Sequence, residues 1–264
     1  MSTRGTAGRL EAAFANGRKT LVIYVTCGDP SLDATVDIVV AAARSGADVI
    51  ELGVPFSEPN ADGPAIQRAM ERALARGAGL PAALEVVKRV RAAGCDVPIV
   101  LFGYYNPIFV HGVAAFCRDA RAAGADAALV VDLPIDEIAE LTGPAREVGL
   151  DVIPLAAPTS GPARLQRIAA VGAPFVYYVS MTGITGAALK GVPDVAARVS
   201  ALRAAGVGKV AVGFGISTPA DARAIAAFAD GVVVGTAVVR AIENNVGREP
   251  AAVAELVGAL RAAL

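Results

Sequence analysis

Short runs of β-branched and apolar residues alternate eight times with Ala-rich amphipathic stretches along this chain, and that rhythm leaves few folds open. The runs are Leu21–Val25, Val49–Leu52, Ile99–Gly103, Ala127–Val131, Asp151–Pro154, Phe175–Ser180, Val210–Gly213 and Gly231–Gly235. Between them lie helical patterns over Asp33–Arg44, Leu80–Ala93, Val113–Ala123, Ile135–Val148, Pro162–Val171, Pro193–Ala205, Pro219–Phe228 and Thr236–Glu243. The phrases Ser45-Gly46-Ala47-Asp48 and Ala123-Gly124-Ala125-Asp126 place a Gly where a helix ends and a short turn where the next strand begins. Strands that are almost continuously apolar are buried on both faces, as in parallel sheets covered by helices. Eight such units in 264 residues predict an α/β fold, a (β/α)8 TIM barrel forming a single domain over 1–264. An open doubly wound sheet is disfavoured, because no GxGxxG follows the first strand.

Two segments break the rhythm. Leu10–Asn16 reads as an extra helix ahead of the first strand that would close the bottom of the barrel, and Ala65–Ala75 reads as a helix inserted after the second. Loops at the C-terminal ends of barrel strands carry function, so the insertion marks the active face. With 55% hydrophobic and 19% charged residues and a net charge of −1, the chain has no basic run to bind nucleic acid. It also has no apolar run long enough to span a bilayer and no signal peptide, which predicts a cytoplasmic location. Cys27, Cys95 and Cys117 are widely spaced and unpaired in pattern, so neither a disulfide framework nor a metal site is indicated.

Chemistry concentrates in Glu51-Leu52-Gly53-Val54-Pro55-Phe56-Ser57-Glu58-Pro59-Asn60-Ala61-Asp62-Gly63-Pro64. Glu51 stands at the C-terminal end of a hydrophobic strand, where burial raises a carboxyl pKa toward neutrality and suits it to proton transfer. Asp62, on the loop that follows, is expected to stay ionised and to hold a cation or an N–H group. A structural pair remains open, with Glu51 salt-bridged to a neighbour and Asp62 capping the helix that starts near Pro64. After strands seven and eight come Gly213-Phe214-Gly215-Ile216-Ser217 and Gly235-Thr236, where backbone N–H groups and helix starts converge on a phosphate in barrels of this kind; Ser217 and Thr236 would cap the helices behind them. The segment Met181 to Gly191, with three glycines and two threonines, suits a lid. His111 follows a loop and reads as a helix-start or solvated residue rather than a catalytic one.

These pieces, together with Tyr24-Val25-Thr26-Cys27-Gly28-Asp29-Pro30, Tyr104-Tyr105-Asn106-Pro107, Asp132-Leu133-Pro134 and Ser180 through Gly186, resemble the tryptophan synthase α-subunit family nearly end to end. The resemblance implies cleavage of indole-3-glycerol phosphate to indole and glyceraldehyde 3-phosphate. It implies no cofactor on this chain, and a partner β subunit, carrying pyridoxal phosphate, in an α2β2 heterotetramer. By the same resemblance Glu51 is the general acid/base and Asp62 accepts the indole N–H. Tyr24, Ile66, Phe102, Tyr104 and Leu129 would wall the indole, with ordinary core packing the alternative for each, and Tyr177 would orient the acid/base carboxyl. Thr185 matches the lid residue that meets Asp62 on closure, Gly186, Gly215, Gly235 and Thr236 match the phosphate end, and Phe214 is a further substrate-binding match. Glu58 and Asn60 depart from the family's usual Asp and apolar residue, in the loop nearest the expected partner contact. A lyase that works alone, and a non-catalytic activator of a β-type partner, are the two alternatives.

Overall fold

In the computed structural model, which describes residues 7–179, 192–213 and 215–264, the strands form one parallel sheet curled into a barrel. They are β1 Thr20–Thr26, β2 Val49–Gly53, β3 Ile99–Gly103, β4 Ala127–Val130, β5 Asp151–Val152, β6 Leu155–Ala156, β7 Val176–Val179, β8 Val210–Gly213 and β9 Gly231–Val234. The order is β5-β4-β3-β2-β1-β9-β8-β7-β6, with β1 hydrogen-bonded to both β2 and β9. The expected fifth strand is thus two short ones: β5 pairs with β4 and β6 with β7. Pro154 explains the break, since it has no N–H to give to a ladder. The ring is nevertheless continuous, because Ile153 N donates to Ala128 O (2.9 Å) while Pro154 O accepts from Tyr177 N (3.1 Å).

The helices are α1 Ala7–Ala15, α2 Leu32–Arg44, α3 Pro64–Leu74, α4 Leu80–Ala92, α5 Tyr105–His111, α6 Val113–Ala123, α7 Ala139–Val148, α8 Pro162–Ala170, α9 Val192–Ala204, α10 Pro219–Ala226, α11 Thr236–Glu243 and α12 Glu249–Ala263. The extra N-terminal helix and the insertion after the second strand stand where the pattern places them. Two helices had no counterpart in the sequence reading. α5 is short and carries Pro107 in its first turn, so its period is hard to see, and α12 is Ala-rich with a weak polar face. α7 starts at Ala139 rather than Ile135 because Pro134 to Ile138 forms turns. His111 ends α5 instead of starting a helix, and its Nε2 lies 2.7 Å from Asp119 Oδ2. No helix among the described residues is long and apolar enough to cross a membrane.

Strand alternation sorts the core into two layers. Leu21, Ile23 and Val25 of β1 face the surrounding helices, whereas Val22 and Tyr24 point into the barrel with Val49, Val100, Phe102, Leu129, Ile153, Phe175 and Val233. α1 plugs the bottom of that inner layer: Phe14 stacks on Phe175 with centroids 4.6 Å apart. Around the same rim three aspartates ahead of strands accept an N–H from the first or second residue of the preceding strand in the ring. Asp48 binds Leu21 N (2.8 Å), Asp126 binds Ile99 N (2.8 Å) and Asp230 binds Val210 N (3.0 Å). Each carboxylate is also held by cations: Asp48 by Arg18 and Arg261, Asp126 by Arg9 and Arg91, Asp230 by Arg203 and Lys209. The bottom of the barrel is therefore pinned, and the opposite face is left for chemistry.

Candidate active site

At the C-terminal ends of the strands the barrel opens into a cavity of about 1370 Å³. Its wall includes Tyr24, Glu51, Asp62, Ile66, Phe102, Tyr177, Gly215, Gly235 and Thr236, so the structure brings together residues that the sequence scatters over more than 200 positions. Glu51 sits at the middle of β2, not at its tip, with Val49 and Gly53 on the same inward face. It is 1% exposed, and its Oε1 has no hydrogen-bond partner among the described residues. Burial pushes its carboxyl up to about 8. The salt-bridged alternative for Glu51 fails, since no cation pairs with it among the described residues. A buried carboxyl with an unsatisfied oxygen is unfavourable for folding, and its place is at a working site.

Asp62 does not cap α3 either; Gly63 is the N-cap residue and Pro64 follows at the first turn. Instead Asp62 Oδ2 accepts from Tyr104 Oη at 2.6 Å. Burial raises the Asp62 pKa and the Tyr104 hydrogen bond pulls it back down. The loop is held from its other side by Gln67 of α3, whose Nε2 donates to Asp62 O (2.8 Å) and Pro59 O (3.3 Å). Gln67 was not singled out from the sequence; its only signal was its place on the first turns of an inserted helix.

Tyr24 and Tyr177 lie close enough to both carboxyls that burial first, and then the field of Glu51 and Asp62, raises their pKa values. Each ring rests on a glycine. A Cβ on Gly53 would come within 2.2 Å of Tyr24 Oη, and one on Gly213 within 2.1 Å of Tyr177 Oη, so the tyrosines occupy room that any side chain would take. Tyr24 and Phe102 meet edge to face at 5.4 Å, and Phe102 and Tyr177 lie 6.4 Å apart, making an aromatic arc beside Glu51. No hydrogen bond joins Tyr177 to Glu51 among the described residues. Two expected wall residues are displaced. Leu129 is fully buried in the inner layer and does not border the cavity, where Val130 and Val131 do. Tyr104 does not border it either; it stands behind Asp62.

The glycine turns follow β8 and β9, and Gly235 lies beside Tyr24. Gly235 is the N-cap of α11 and Thr236 its first residue, leaving the first-turn N–H groups directed at the cavity. Gly215 has φ +48, which only glycine adopts freely. At α10 the N-cap is Thr218 rather than Ser217, and Asp221 completes a capping box. Asp221 Oδ2 accepts from Ser217 N (3.2 Å), Ser217 Oγ (3.2 Å) and Thr218 N (2.9 Å), so those donors are already engaged. Arg68, Arg164 and Arg240 also border the cavity and were not anticipated. Thr185, Gly186, Phe214 and the proposed lid lie outside the described residues.

Residues 10–262 match the family model described as Tryptophan synthase alpha chain. A relative in Geobacter sulfurreducens, a tryptophan synthase alpha chain, is 52% identical over 97% of this chain and 98% of its own. Another, from Laribacter hongkongensis, is 48% identical over 97% of both. Among solved structures, tryptophan synthase subunit alpha from Legionella pneumophila superposes with TM-score 0.90 at 38% identity, covering 98% of this chain and 97% of that one. A chain in a structure of the tryptophan synthase α2β2 complex from Pyrococcus furiosus does so with TM-score 0.85 at 38% identity, covering 92% and 98%. The chain belongs to the tryptophan synthase alpha chain family.

Proposed function

We propose that this chain cleaves indole-3-glycerol phosphate to indole and glyceraldehyde 3-phosphate in tryptophan biosynthesis, as the α subunit of an α2β2 synthase working in the cytoplasm. The observation that carries the reading is Glu51: a buried carboxyl, its Oε1 without a partner among the described residues and its pKa near 8, on the wall of an aromatic cavity that also holds a second, hydrogen-bonded carboxyl. Breaking the bond between indole C3 and the glycerol chain is a retro-aldol step. Protonated Glu51 delivers its proton to C3, which interrupts the aromatic system and leaves the positive charge on the ring nitrogen. Ionised Asp62 accepts the N–H and stabilises that cation. The carboxylate left on Glu51 then takes the proton of the glycerol hydroxyl beside C3. The O–H electron pair becomes the aldehyde C=O, the C–C pair returns to the ring, and Glu51 ends as it began. Every proton is moved by this chain's own side chains; pyridoxal phosphate belongs to the β subunit.

The aromatic arc of Tyr24, Phe102 and Tyr177 is proposed to hold the indole, and the Gly215 and Gly235-Thr236 turns the phosphate. The test is direct. Purified protein should release equimolar indole and glyceraldehyde 3-phosphate from indole-3-glycerol phosphate, and Glu51→Gln, which keeps the shape and loses the titrating proton, should lower kcat by roughly 10²–10⁴-fold. Unchanged turnover in Glu51→Gln would remove Glu51 from the mechanism.

A further inference from the structure

Tyr104 ends the chain's passage out of β3 and is the N-cap residue of α5, only 4% exposed, with its ring tilted against Phe56 at a centroid distance of 5.1 Å. It was expected to face the indole, yet it does not border the cavity. Its hydroxyl instead makes two bonds to one loop: Oη donates to Asp62 Oδ2 at 2.6 Å and accepts from Ala61 N at 3.0 Å. With Gln67 holding the carbonyls of Pro59 and Asp62 from α3, the loop over 59–62 is fixed at four polar points.

We propose that Tyr104 is a positioning residue for the cleavage reaction: it selects one rotamer of Asp62 and leaves the other carboxylate oxygen, Oδ1, to meet the indole N–H. The inference rests on the reading of Asp62 given under Proposed function. A loop aspartate between Ala61 and Gly63 has several rotamers open to it, and each one not aimed at the ring nitrogen weakens the interaction that counts in the transition state. The Tyr104 bond removes that freedom. It also favours the ionised form, because a donor to a carboxylate binds the charged state better than the protonated one. The other titratable or charged groups around Asp62 are Glu51 of β2, Tyr24 of β1 and Tyr177 of β7, with Arg68 of α3 on the same cavity wall. Among the described residues Tyr104 is the one that holds its carboxylate by a hydrogen bond.

Tyr104→Phe keeps the ring and its contact with Phe56 and deletes only the hydroxyl. Steady-state cleavage of indole-3-glycerol phosphate by the full chain should show kcat reduced roughly 10- to 100-fold, with KM changed far less. The acidic limb of the kcat profile should move to higher pH, because Asp62 without its donor holds its proton longer. The Asp62→Asn background supplies an independent check: if Tyr104 acts through Asp62, adding Tyr104→Phe to Asp62→Asn lowers kcat little further. A raised KM at normal kcat would make Tyr104 a binding wall, and additive losses in the double variant would make it a packing residue; either outcome overturns the proposal. Should Tyr104→Phe fold poorly, as judged by its thermal transition, Tyr104→Leu compared in the same two backgrounds answers the same question, since additivity rather than the size of the loss decides. If the wild-type chain itself fails to cleave the substrate, the reading of the site fails first; if it cleaves and Tyr104→Phe matches it in kcat and pH profile, only this inference fails.

Discussion

Glu51 costs the native state something, and pH exposes the cost. Its carboxyl titrates near 8 in the folded chain and near its ordinary 4.5 when unfolded, because burial disfavours the charged form. Below 4.5 both states carry the proton and Glu51 contributes no pH dependence. Between 4.5 and about 8 the unfolded state has lost it and the native state has not, so stability falls with rising pH by up to about 1.4 kcal/mol per unit. Glu51→Gln abolishes that slope. Thermal melts should show Glu51→Gln more stable than the parent at pH 8, with a smaller difference at pH 5; equal gaps at the two pH values would mean that Glu51 is ionised in the native protein. The rate falls in the same direction, since the acid needed at indole C3 is lost as pH rises through about 8. The chemistry of Glu51 was legible as a Glu inside an apolar run. Its missing partner was not, because whether a buried oxygen finds a donor depends on side chains that arrive from β1, β7 and the loop before α3.

At the scale of elements, the two glycine turns differ more than their sequences suggest. The turn before α10 spends Ser217 and Thr218 N–H groups on Asp221, four and three residues ahead, an internal cap that no glycine count reveals. The turn before α11 has no side-chain cap among the described residues, which leaves its first-turn donors available to an anion. A side chain on Gly235 would project toward Tyr24 Cβ (3.5 Å) and Ile66 Cδ1 (3.8 Å), into the cavity and without backbone strain. Calorimetric titration with glycerol 3-phosphate should therefore show Gly235→Val weakening binding by at least ten-fold, which corresponds to about 1.4 kcal/mol, and more than Arg240→Ala does. The reverse order would move the anion to the arginine side of the pocket. The same scale explains the misplaced wall residues. Leu129 and Tyr104 sit on strand β4 and at the exit of β3 as expected, but how far up the barrel a position reaches is set by strand stagger, which short strands do not encode.

Taken whole, the molecule is pinned at one end and open at the other. Asp48, Asp126 and Asp230 tie strand starts to arginines and a lysine from the surrounding segments, while Phe14 and Leu10 of α1 fill the floor. The opposite face carries the loop of Asp62 and, on α5 nearby in sequence to Tyr104, the exposed Phe109 and Val110. A β subunit seated on that face would bury these exposed apolar side chains and restrain the neighbouring Asp62 loop further. Adding a competent β subunit, with complex formation shown independently, should raise the rate of indole-3-glycerol phosphate cleavage; an unchanged rate in the bound complex would favour a lyase that works alone. The residues that determined the barrel by themselves were the eight apolar runs and the glycine-ended helices, because burial on both faces and helix termination are local patterns written residue by residue. The tertiary structure alone decided that the fifth strand closes the ring in two pieces, that Tyr104 serves Asp62 instead of the cavity, and that Glu51 Oε1 has no partner among the described residues. Each of these depends on which distant side chains and strand edges come within hydrogen-bonding distance, and spacing along a chain does not fix distance across a barrel.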